Sequence, residues 1–180
     1  MAKFEAFDPD VEVRGRVLTS VLSGMGVLQK KAHEILMMHG VDNPQPDSWY
    51  SQQAWLDCFE TIEKSLGTKV LFDIGAKIYE SAQWPEGINN IQSALCSINK
   101  AYQLNHRGGE IGFYKCQVLD ENRIQMTCRN PYPCEFDHGL ITSVANRFRP
   151  EGVFMVEVQH EVPEKCRKNL CKECIFLVAW

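Results

Sequence analysis

What these 180 residues lack narrows the field first. No stretch reaches the roughly 18 consecutive apolar residues that a membrane-spanning helix needs, so no membrane span is expected. The first residues, MAKFEAFDPDVEVRGR, carry acids and no apolar run. That pattern excludes a signal or transit peptide and makes the cytoplasm the expected location. A basic stripe is also missing. The formal net charge is -4, with Lys and Arg mixed among Asp and Glu, so no nucleic-acid partner is expected. Internal repeats, low-complexity tracts and long linkers are absent, which points to one domain over residues 1–180. HRGGEIG has glycines, but a helix pattern precedes it and a strand pattern follows, the wrong order for a phosphate-binding loop. No nucleophile–base arrangement is readable, so no catalytic residue is assigned.

Hydrophobic periodicity divides the chain into a helical front and a strand-rich back. Residues Arg16 to Met38 read as helix, interrupted around Gly24 and Gly26, with Gly40 as a stop. VDNPQPDS is a loop by its Pro, Asn and Asp content. Ser51 caps a helix with Trp55, Phe59, Ile62 and Leu66 on one face, ended by Gly67. Helices over Val70 to Tyr79 and Ile88 to Leu104 follow. From Glu110 the period changes to two, and EIGFYKCQVL and NRIQMTC flank DEN as a hairpin. CEFDHGLITSVANRF returns to helical spacing. VFMVEVQHEV and CIFLVAW read as two further strands joined by PEKCRKN. The expected fold is α+β: an N-terminal helical layer on an antiparallel sheet of about four strands, as two hairpins with a helix between.

Eight cysteines are many for a chain expected in a reducing compartment, where metal binding or thiol chemistry outweighs disulfides. Cys58, Cys96 and Cys116 are scattered. Cys128, Cys134, Cys166, Cys171 and Cys174 crowd the last third. Short loops bring such donors together at low entropic cost, and four soft ligands suit structural zinc. The expected ligands are Cys128, Cys134, Cys166 and Cys174, with Cys171 as rival for the fourth place. Cys134 opens a helix, where the dipole favours a thiolate. In the same first turn, Asp137 is expected for dipole reasons alone.

NPYPCEFDHGLITSVANRF followed by CRKNLCKECIFLVAW resembles the 4-vinyl-reductase-type, or hydrocarbon-binding, domain family. The family's end pattern, Cys-Arg-x-x-Gly-x-x-x-Cys-x-aromatic-x-x-x-Trp, is matched by Cys166, Arg167, Cys174, Phe176 and Trp180. Leu170 stands where the pattern has Gly. The resemblance covers residues 128–180 closely and residues 16–127 more loosely. It implies a zinc site at Cys134, Cys166 and Cys174, with Cys128, Cys171 or one of Glu157, Glu161 and Glu164 in the position where relatives use a Glu. It also implies a fold relation to haem-nitric-oxide-binding domains and small TRAPP trafficking subunits. A cavity for an apolar ligand between helices and sheet follows from the same resemblance.

Trp84, Tyr102, His106 and Tyr114 are the candidate ligand-binding residues, being aromatic or polar groups near the helical layer. His106 also suits a bland role, capping the end of its helix with Gly108 left-handed beyond it. Haem is set aside, because the Tyr-x-Ser-x-Arg pattern of the haem-nitric-oxide-binding family is not found here. The expected function is a stand-alone domain binding or sensing an apolar or aromatic small molecule. Its signal would pass to a partner protein or a homodimer. The alternatives are a metal- or thiol-dependent enzyme and an interaction module resembling trafficking subunits.

Overall fold

A computed structural model describes residues 4–180. The order is β1 (Glu12–Arg14), α1 (Gly15–Gly24), α2 (Gln29–Met38), β2 (Trp49–Ser51), α3 (Gln52–Leu66), α4 (Thr68–Ser81), α5 (Ile91–Leu104) and β3 (His106–Arg107). It continues with β4 (Phe113–Asp120), β5 (Arg123–Arg129), α6 (Cys134–Arg147), β6 (Glu157–His160) and β7 (Cys174–Ala179). Among the described residues, six α-helices and two antiparallel sheets make the α+β fold, with strand order β4-β5-β7-β6 in the larger sheet. The two hairpins with a helix between them are thus present. No helix among the described residues is long and apolar enough to cross a membrane.

Local chemistry sets most boundaries. The Ser51 hydroxyl accepts from the Ala54 amide at 3.4 Å and starts α3. Asn90 and Ser93 form a reciprocal cap that starts α5 at Ile91, three residues after the apolar Ile88. The helix expected over Arg16 to Met38 is two helices, with a 3-10 turn at Gly26–Leu28 and Gly26 at φ 49°.

Two expectations are corrected. VFMVEVQHEV pairs only from Glu157, because its partner β7 runs out at Ala179, opposite Glu157. Phe154 and Met155 therefore lie exposed. The small sheet β2-β1-β3 escaped the periodicity altogether. Its strands are two or three residues long, too short to show alternation.

Closest packing occurs between α4 and α6, and two glycines permit it. A Cβ on Gly75 would sit 2.1 Å from the Phe136 carbonyl oxygen, and one on Gly139 would sit 2.0 Å from that of Phe72. Hydrogen there lets the backbones touch. One continuous apolar cluster runs from Phe4 to Val178 and includes Trp55, Phe59 and Phe176.

In the larger sheet, side chains directly opposite share a face. One core-facing row is Tyr114, Cys128, Cys174 and the next is Cys116, Met126, Phe176, His160. α5 and α6 cover this face. The rows lay out an aromatic pocket toward α5 and a sulfur–imidazole corner at the start of α6.

Candidate functional site

The corner contains Cys134 at the first turn of α6, His160 at the end of β6, Cys166 in the β6–β7 turn and Cys174 at the start of β7. Their four ligand atoms lie within 4.8 Å of one another. Cys134 Sγ is 2.8 Å from His160 Nε2, and the sulfurs of Cys166 and Cys174 are 3.4 Å apart. Cys174 is the thiolate of the set. A hydrogen bond from Cys134, with Arg167 beside it, holds its thiol down to about 4. Arg167 donates to that sulfur from both its backbone N–H and its Nε, each at 3.3 Å. The shared hydrogen bond with Cys174 and then burial push the Cys134 thiol up. Soft sulfur and imidazole donors in this number suit a thiophilic transition-metal ion.

Cys134, Cys166 and Cys174 are thus brought together. Cys128 and Cys171 are not in the group. Cys128 faces Cys174 across the sheet, but burial raises its thiol and its sulfur is outside the four. The residue that sequence reasoning missed is His160. Period-two alternation places it with Val158 on the half-buried face of β6, which was the available signal.

Leu170 adopts φ 65°, ψ 14°, the left-handed region, just after the short turn that holds Cys166. That backbone region is one that glycine adopts at less cost than leucine.

Trp84, Tyr102, His106 and Tyr114 all line one partly open apolar cavity, together with Tyr132 and Phe136. His106 lies in β3, just past the end of α5, and its side chain caps a last-turn carbonyl, with Nδ1 2.8 Å from the Tyr102 carbonyl oxygen. A carbonyl only accepts, so Nδ1 carries the proton. Nε2 is then a lone pair, and it accepts from the Tyr132 hydroxyl at 2.6 Å. Burial lowers the His106 pKa to about 4, so the ring is neutral at physiological pH. Gln52, fully buried, donates to the Tyr132 oxygen at 3.3 Å.

Pocket and corner are joined by a buried carboxylate. Asp137 is 0% exposed. It accepts from Tyr114 Oη at 2.6 Å and from Asn130 Nδ2 at 3.2 Å, and it pairs with the guanidinium of Arg167. Burial raises its pKa and Arg167 opposes the rise. Its first-turn position is therefore not explained by the helix dipole alone. Neighbouring His138 does not pair with it; its Nε2 meets the Val158 carbonyl at 2.9 Å.

No family model and no curated protein sequence matches this chain. Solved structures do. A crystal structure of an H-NOX protein from S. oneidensis in the Fe(II)NO ligation state is 13% identical. The match covers 92% of this chain and 97% of that one, with a TM-score of 0.69. The Fe(II) unliganded H-NOX protein from K. algicida is 12% identical over 92% and 95%, at TM-score 0.61. A structure from a study of haem distortion in the H-NOX family is 10% identical over 93% and 94%, at 0.66. The fold is that of H-NOX domains.

These neighbours overturn the cofactor expectation of zinc with haem set aside, because they are haem-binding H-NOX proteins and point to haem rather than zinc. The chain's own residues meet that group halfway. A neutral imidazole with its Nδ1 proton anchored on a carbonyl and its Nε2 lone pair facing an apolar cavity is a suitable iron ligand. The space is not suitable in this packing. The cavity measures about 30 Å³, room for two or three waters. Ligand pockets typically measure about 300–1,000 Å³. Tyr132 also occupies the one coordinating nitrogen.

Proposed function

We propose that residues 1–180 form one small-molecule-sensing domain whose ligand seats in the aromatic pocket at His106. The observation that supports this most is the pairing of a neutral imidazole with an otherwise apolar lining. The pocket offers one Lewis-basic atom, and Trp84, Tyr102, Tyr114 and Phe136 surround it with ring surface. Such a lining selects an apolar or aromatic body with a single electrophilic or hydrogen-donating point. Tyr132 closes the pocket by donating to Nε2, so the ligand must displace it. Haem is the group that the structural neighbours carry, and His106 would hold it here only if this packing opened and Tyr132 left Nε2. Gas ligation is a property of the neighbours; for this chain the class of ligand is what the pocket chemistry favours.

The corner serves this reading as a structural element. Cys134, His160, Cys166 and Cys174 hold a thiophilic metal ion that pins the β6–β7 hairpin to α6, with Asp137 and Arg167 linking it to Tyr114. Signal then passes to a partner protein or a second copy of the chain in the cytoplasm.

The test is a thermal-shift and native mass spectrometry screen with hemin and compact aromatics such as phenols, run on the wild type and on His106→Ala. A one-to-one adduct that raises the melting temperature in the wild type and fails in His106→Ala supports the reading. An absence of any adduct across both ligand classes would sink it.

A further inference from the structure

Two cysteines outside the corner carry an inference of their own. Cys96 lies exposed on α5, and Cys116 lies half-buried on β4 with its side chain on the core-facing row. Their Cα atoms are 5.1 Å apart and their sulfurs are bonded. The other six cysteines are free. β4 is an edge strand, paired on one side only by β5. α5 is held to it by Cys96–Cys116 and by the Asn99 side chain, which accepts from the Tyr114 amide at 2.9 Å.

The two elements so joined build one wall of the pocket. α5 supplies Ile98 and Tyr102 and leads directly into His106, and β4 supplies Tyr114. An exposed, solvent-accessible thiol beside its partner at bonding distance is open to thiol–disulfide exchange, which buried thiols such as Cys58 are not.

We propose that Cys96 and Cys116 form a reversible dithiol–disulfide pair that clamps α5 to the edge strand and sets the rigidity of this wall. In the forward step the Cys96 thiolate attacks a small-molecule disulfide of the oxidised-glutathione class. One glutathione leaves as thiolate and a mixed disulfide forms. The Cys116 thiolate then attacks the Cys96 sulfur and expels the second glutathione. The protein loses two thiol protons and two electrons, and the external disulfide is reduced to two thiols. Excess dithiol reverses both steps. The clamp itself does not depend on the ligand reading. Only its meaning for ligand entry rests on that reading.

The experiment compares full-length protein equilibrated in oxidised and in reduced glutathione. Iodoacetamide quenching and non-reducing peptide mapping follow, with melting temperature and amide hydrogen exchange measured in parallel. The expected result is a Cys96–Cys116 linked peptide in the oxidised sample alone. Its melting temperature should be about 5–10 °C higher, as expected for closing a loop of this length. Exchange in α5 and β4 should slow, and Cys96→Ser, an exposed and tolerated change, should abolish all three differences. Separate alkylation of the two thiols in the oxidised sample, or a stable glutathione adduct on Cys96 without the link, would overturn the pair. A link that leaves α5 and β4 exchange unchanged would overturn the clamp.

Discussion

The pocket and the corner lie on the same sheet face and share Asp137, yet they balance their polar groups differently. In the pocket the ring of His106 is already satisfied within the protein, with Nδ1 on the Tyr102 carbonyl, Nε2 on Tyr132, and Tyr132 in turn on Gln52, while Gln52 Oε1 and Trp84 Nε1 have no partner among the described residues. In the corner three sulfurs and an imidazole converge with no apolar filler between them, and the thiolate of Cys174 is held by Arg167 and a proton from Cys134. One region has both nitrogens of its imidazole engaged and must open to receive a ligand at that ring. The other presents more donors than its internal cations use. The pocket is thus distinguished by a contact that a ligand must displace, and the corner by the number of soft donors gathered in one place.

The sharpest way to break this contrast is to empty the corner. A strong chelator, or Cys134→Ser, is expected to remove bound metal and cause the largest loss of stability. Soft-ligand structural sites commonly provide on the order of 10 kcal/mol of binding energy linked to folding. Elemental analysis with chemical denaturation reads it, and unchanged stability would remove the corner's structural role. Next comes Arg167→Ala, which strands the fully buried Asp137 carboxylate and is expected to cost about 3–5 kcal/mol. Arg167→Ala with Asp137→Asn should recover part of that loss, since the stranded charge is gone.

Acidification probes the pocket side. His106 has its pKa lowered from 6.5 to about 4, so the unfolded state binds the proton more readily between those values. Its contribution is full above pH 6.5 and is lost as pH falls toward 4, by about 3 kcal/mol. His106→Phe should flatten that part of the stability curve; an unchanged slope would place the acid sensitivity elsewhere. Gly139→Ala, which drives a methyl into the Phe72 carbonyl, is expected to cost about 1–3 kcal/mol. The smallest effect should come from Leu170→Gly, a gain of about 0.5–1 kcal/mol from relieving the left-handed backbone, offset by the glycine's extra freedom when unfolded.

Much of this was legible in the residues. Long helices with clear stripes, such as Trp55, Phe59 and Ile62 on α3, and the hairpin around DEN follow from periodicity and turn chemistry. Cys134, Cys166 and Cys174 converge, as sequence-near donors do. Trp84, Tyr102, His106 and Tyr114 line a single cavity, although they come from a loop, a helix and two strands. What stayed hidden depended on register. His160 joins the corner only because β6 pairs with β7, which sets it opposite Phe176, two residues beyond Cys174. Asp137 looks like an ordinary first-turn acid until its neighbours Tyr114 and Arg167 are brought to it from other elements. Tyr132 sits in a proline-flanked turn, and nothing local says that its hydroxyl closes the pocket. Cys96 and Cys116, twenty positions apart, meet only through the packing of α5 on β4.

Ligand binding at His106 Nε2 is the proposed basis of sensing. Its most direct test is equilibrium hemin titration by visible absorption of the wild type, His106→Ala and Tyr132→Phe. Saturable one-to-one binding, abolished in His106→Ala and strengthened in Tyr132→Phe, where the nitrogen is no longer capped, is the predicted result. Titrations that do not saturate, or that are the same in all three proteins, would contradict it.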